Sequence, residues 1–123
     1  MAGVQSHRDL VVWQKAMDFA VGAYHLTAHF PTTETYRLTA QITRAAASVP
    51  ANIAEGHARA TRRDYANFLA IAKGSLMEAE TLLLLALRLG YVTQGEIGPT
   101  LNLISEISKM ITAIRSKLLD QKE

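Results

Sequence analysis

Cysteine is absent from the 123 residues, which excludes disulfides, zinc–thiolate centres, iron–sulfur clusters and thiol nucleophiles. Long apolar runs are missing too. Residues 10–13 are apolar, but Gln14 and Lys15 follow at once, so the N-terminus carries no secretory pattern. The most apolar later run, residues 82–87, falls far short of the roughly 20 residues that a spanning helix needs. A soluble, cytoplasmic protein without a membrane partner is the expectation.

The marks of common catalytic sites are equally scarce. No glycine-rich phosphate loop is present, and Gly74-Ser75 lacks the setting of a nucleophile elbow. A di-metal carboxylate bundle needs Glu-x-x-His on two helices, and Glu55-Gly-His57 has the wrong spacing. His25 and His29 lie four apart without an evident third ligand, and they read as solvated residues near a helix C-terminus. The sequence therefore predicts no enzyme, metal or cofactor, and marks no small-molecule substrate.

What is present is helical periodicity. The length suits one domain over residues 1–123. Ser6-His-Arg-Asp9, Thr61-Arg-Arg-Asp64 and Thr93-Gln-Gly-Glu96 have the spacing of capping boxes, while Pro31 and Gly90 act as stops. Helices are predicted at about 8–29, 33–56, 62–89 and 94–119, with Pro99 leaving the first turns of the last one irregular or restarted. Trp13, Met17, Ala20 and Tyr24 form one stripe of the first helix, with Val12, Ala16, Phe19, Ala23 and Leu26 beside it. Ile104, Ile107, Ile111, Ile114 and Leu118 follow a 3-4-3-4 seam. No stretch alternates as a strand, so the fold class is all-α, an antiparallel up-down-up-down four-helix bundle.

The third helix has more apolar surface than one bundle needs. Tyr65, Leu69, Ala72, Leu76, Ala79, Leu83 and Ala86 make a core stripe, and Phe68, Ile71, Leu82, Leu85 and Leu89 make another beside it. On the second helix Leu38, Ile42, Ala45, Val49 and Ile53 form the core face. Ala40, Thr43, Ala47, Ala51 and Ala54 form a face of small side chains that a second backbone can approach. The two features together predict a homo-oligomer, with Ala40, Ala47, Ala51, Ala54, Phe68, Ile71, Leu82, Leu85 and Leu89 at the subunit contact.

Charge is uneven. The chain is +2 overall, yet from Arg37 to Arg63 five arginines stand against one acid, Glu55. Arg37, Arg44, His57, Arg59, Arg62 and Arg63 are the candidate contacts to RNA or DNA, because a guanidinium fork suits phosphate. Arg37, Gln41, Arg44, Ser48, Asn52 and Glu55 share a polar stripe of the second helix. Pro50 should kink that helix and free the Ala46 carbonyl, for which Ser48 and Asn52 are nearby donors, unless the helix ends at Val49. Asn52 and Glu55 are polar site candidates that also suit capping or pairing with an arginine.

Three strings carry a family resemblance: Asp9-Leu-Val-Val-Trp-Gln-Lys-Ala-Met17, Arg44-Ala-Ala-Ala-Ser-Val-Pro-Ala-Asn-Ile-Ala-Glu-Gly56, and Tyr65 with residues 68–76 and 78–81. The chain closely resembles four-helix-bundle proteins encoded within intervening sequences of bacterial 23S ribosomal RNA genes. It is also similar to accessory proteins of diversity-generating retroelements. The resemblance implies a ring-like homo-oligomer, a pentamer, and for the retroelement relatives a basic surface that engages nucleic acid. It implies no established activity for the intervening-sequence members. Ser48, Pro50, Asn52, Ile53, Glu55 and Gly56 carry the family string in this chain, with a structural role. After it, His57 and Ala58 stand where many relatives have glycine or an aromatic residue.

Overall fold

A computed structural model describes residues 6–120; the first five and last three residues of the domain expected over 1–123 lie outside the described range. The described residues form four α-helices and no strand: α1 Val11–Thr27, α2 Leu38–His57, α3 Arg62–Arg88 and α4 Gln94–Asp120. Each helix packs on its chain neighbours, and α1 closes against α4. Cross-helix partners run in opposite directions. Lys73 meets Thr112 and Arg115 meets Ala66 between α3 and α4, and Lys15 meets Glu106 between α1 and α4.

The core follows the periodicity. Phe19, Ile42, Ile53, Leu69, Leu76, Leu83, Ile97, Ile104, Ile107 and Ile111 are fully buried. At about 1.5–3 kcal/mol for each large apolar side chain, such burial outweighs local defects of the helices. On α1 the second of the two stripes faces inward: Val12, Ala16, Phe19 and Ala23 are buried, whereas Met17 and Tyr24 of the first are exposed. On α3 the core position at the N-terminal end is Ala66, not Tyr65, which is half-buried.

Two helix starts differ from the expected ones. Ser6 Oγ accepts from the Arg8 amide at 3.1 Å, closing a 3₁₀ turn at His7–Asp9, and extended Leu10 delays α1 to Val11. That turn is braced by Trp13, which meets the His7 ring edge-on at 5.1 Å. The second helix was expected from residue 33, but Thr32–Glu34 is again a 3₁₀ turn and α2 starts at Leu38. Glu34 explains the delay. One carboxylate oxygen accepts from the Leu38 amide at 3.3 Å and the other from the Tyr91 hydroxyl at 3.0 Å, tying this segment to the α3–α4 turn.

Both internal prolines sit within continuous helices. Around Pro50 the local cost of about 3 kcal/mol is offset by the burial of Val49 and Ile53, both 0% exposed. The expected donors act elsewhere: Ser48 Oγ donates to the Ala45 carbonyl at 3.0 Å and Asn52 Nδ2 to the Ser48 carbonyl at 2.8 Å. Neither reaches Ala46. Pro99 neither delays nor restarts α4, because the carbonyl it crowds belongs to exposed Gly95, four residues earlier and open to water.

The ends of α3 are well defined. Thr61 Oγ1 accepts from the Asp64 amide at 3.1 Å at its start. At its end Gly90 has φ +80°, and the Gly90 and Tyr91 amides return to the Leu87 and Ala86 carbonyls, a Schellman arrangement. At the start of α4, Thr93 and Glu96 form a reciprocal capping box at 2.8 and 3.2 Å.

Candidate functional site

The family string lies where α2 meets α3, the most extensive helix pair of the bundle. Gly56 is buried at this crossing. A Cβ there would stand 2.7 Å from Phe68 Cβ and 3.1 Å from Tyr65 Cδ1, so only glycine admits this approach of the two helices. Pro50 and Ile53 are buried beneath the same surface.

Side chains around the crossing are largely committed to it. Arg59 donates to Glu55 Oε2 at 2.9 Å, and its guanidinium sits 4.6 Å above the Phe68 ring. His57, half-buried, meets Tyr65 edge-on at 5.8 Å. Burial raises the Tyr65 hydroxyl above its usual pKa and keeps it neutral. Glu55 therefore holds Arg59, and Asn52 braces its own helix.

The predicted basic contacts divide into two groups. Arg37, at the N-cap of α2, and Arg44, on α2, are exposed, and neither forms an ion pair with any described residue. Arg59, Arg62 and Arg63 stand at the α2–α3 turn, where Arg62 and Arg63 line a depression with Ala60 and Thr61. At 1.5 Å rise per residue, the turn group lies about 20 Å from Arg44 and about 30 Å from Arg37.

Sequence reasoning missed a neighbour of the second group. Arg115 Nε donates to the Ala66 carbonyl at 2.9 Å, bringing the basic end of α4, with Lys117, to the start of α3. The signal was available: antiparallel α3 and α4 must place residues near 115 beside residues near 66.

The residues expected at a subunit contact are also distributed unevenly. Ile71, Leu85 and Leu89 are exposed at 51%, 44% and 51%. Leu82 packs partly onto the core, and half-buried Phe68 lies under Arg59. Ala47 and Ala51 are exposed, while Ala40 and Ala54 are half-buried.

A separate cavity opens at the other end of the molecule, between α1, α4 and the α3–α4 turn, with His25, His29 and Glu96 on its walls. Capping hydrogen bonds from Thr93, the backbone one foremost, hold the Glu96 carboxyl below its usual pKa. The Tyr91 hydroxyl is raised, first by its hydrogen bond to Glu34. Among the described residues no group of three or more His, Asp or Glu is placed to hold a metal ion. No helix among them is long and apolar enough to cross a membrane.

Comparison with known proteins agrees with this architecture. A solved protein from Bacteroides thetaiotaomicron VPI-5482, described as of unknown function and from the S23 ribosomal protein family, is 30% identical, with a TM-score of 0.77. The similarity covers 85% of this chain and 98% of that one. No curated protein matches the chain. Residues 8–113 match the family described as 23S rRNA-intervening sequence protein, and the chain belongs to that family.

Proposed function

We propose that the chain is a non-enzymatic, self-associating cytoplasmic scaffold that binds RNA or DNA through phosphate contacts. The observation that carries this reading is the pair Arg37, at the N-cap of α2, and Arg44, on α2, both exposed without an ion-pair partner among the described residues. Two such guanidinium groups on one helix surface suit a polyphosphate backbone and carry no base-reading element. Arg63, exposed at the start of α3, adds a second point of attachment. Arg59 is a weaker contact because Glu55 already neutralises it.

Self-association rests on Ile71, Leu85 and Leu89, which leave an apolar strip of α3 in water. A ring of copies, five by the family resemblance, would cover that strip and repeat the arginines around an axis. Repetition turns a modest patch into a multivalent one.

The test is a titration of structured RNA at two salt concentrations, with native mass measured alongside. Binding that weakens steeply with salt supports the reading. No binding at low salt, with an oligomer still present, favours a scaffold for protein partners instead. A native mass of one chain overturns the self-association.

A further inference from the structure

The cavity between α1 and α4 has features that folding alone does not explain. It measures about 340 Å³. Thr100, only 6% exposed, contributes a hydroxyl that makes no hydrogen bond with any described residue, yet is not sealed from the cavity. Thr27, the other buried threonine, behaves in the ordinary way: its hydroxyl donates toward the Ala23 and Tyr24 carbonyls at 3.0 and 3.2 Å. Gly22 keeps the Thr100 hydroxyl accessible, since a Cβ there would lie 3.4 Å from Oγ1.

The walls offer several acceptors beside the imidazole and Thr100 hydroxyl donors, and their fixed charge is negative. Among the described residues Glu96 is their single permanent charge, and neither lysine nor arginine lines the cavity. Glu96 Oε1 accepts from the Thr93 amide at 2.8 Å, and the carboxylate keeps further lone pairs for a ligand. Tyr91 donates its proton to Glu34 at 3.0 Å, so toward the cavity its oxygen can only accept. The imidazoles of His25 and His29 add ring nitrogens to the walls. The C-terminus of α1 and the N-terminus of α4 both border the space, and their opposed dipoles largely cancel, leaving Glu96 to set its sign. Leu26 and Val92 supply apolar surface.

We propose that this cavity binds a small organic cation, a primary amine on an apolar stem, with the ammonium between the Glu96 carboxylate and the Thr100 hydroxyl and the stem against Leu26 and Val92. An anion would meet the Glu96 carboxylate with no lysine or arginine among the described lining residues to offset it. This site is independent of the arginine surface and stands whether or not that surface binds nucleic acid.

The experiment uses phenethylamine as probe, with phenylethanol and phenylacetate as neutral and anionic counterparts, in the presence of a chelator. Imidazole resonances of His25 and His29 are followed by NMR. The amine should shift both saturably and bind about tenfold more tightly than either counterpart, the scale of one charge-assisted hydrogen bond. Glu96→Gln retains the capping acceptor, because glutamine serves in a capping box, and should weaken the amine about tenfold. Thr100→Val, close in shape, should weaken it as well, and each variant is checked for native helicity. No saturable shift, equal binding of the alcohol, or full affinity in a folded Glu96→Gln protein overturns the proposal. Should Glu96→Gln fail to fold, full affinity in Thr100→Val overturns it instead.

Discussion

The two ends of the bundle are built on opposite principles. At the α2–α3 end, the helices approach until no Cβ fits at Gly56, and Arg59, His57 and Glu55 are each held by a neighbour. At the α1–α4 end, Gly22 also lacks a Cβ, but it borders an open cavity and an unbonded hydroxyl. Glycine therefore serves contact at one end and vacancy at the other. The stretch that looks most like a site in the sequence is a packing device, and the space fit for a ligand is assembled from residues scattered along the chain.

The largest expected effect separates the two glycines directly. Gly56→Ala should destabilise the fold by about 1–3 kcal/mol through overpacking against Phe68 and Tyr65, read as a lowered urea midpoint. Gly22→Ala should instead be neutral or stabilising by up to about 1 kcal/mol, since it removes glycine from a helix interior where the new methyl has room. Equal losses at both positions would erase the contrast.

Next in size comes the arginine pair. Replacing Arg37 and Arg44 together should lower RNA affinity and reduce the slope of log K against log salt by about 2, one for each lost phosphate contact. Arg59→Ala should leave that slope nearly unchanged and cost about 0.2–1 kcal/mol of stability, the scale of an exposed ion pair. If Arg59→Ala abolishes binding while the α2 pair does not, the nucleic-acid surface belongs to the turn.

The smallest effect is in acid. The carboxyl of Glu96 has a lowered folded-state pKa, so its contribution is present above the ordinary carboxylate range and is lost as pH falls through the folded value. The thermal midpoint should drop below that range, and Glu96→Gln should flatten the drop slightly.

Much of the architecture was legible because it rests on periodicity. Leu69, Leu76 and Leu83, like Ile104, Ile107 and Ile111, are buried where a helical repeat puts them. Helix starts were less legible, because the residues that delay α2 act from a distance: Glu34 is held by Tyr91, which is remote in the chain. Tyr65 and Ala66 exchanged core roles because the α2 crossing, absent from any one-helix pattern, sets the rotation of α3. The basic surface was half legible. Its arginines were visible, but Glu55's hold on Arg59 and the arrival of Arg115 depend on how helices meet. The cavity was invisible, since His25 and His29 gain Glu96 and Thr100 as neighbours only through closure of α1 on α4.

The crossing at Gly56 also bears on how the chain reaches its fold. α2 and α3 are joined by the short turn at residues 58–61, so their contact closes the smallest loop in the bundle for the largest packed pair. Topology makes this local hairpin the expected nucleus, formed before α1 is captured by α4. Gly56→Ala should then slow refolding more than it speeds unfolding, whereas shortening Ile107 on α4 to valine should act mainly on the unfolding rate.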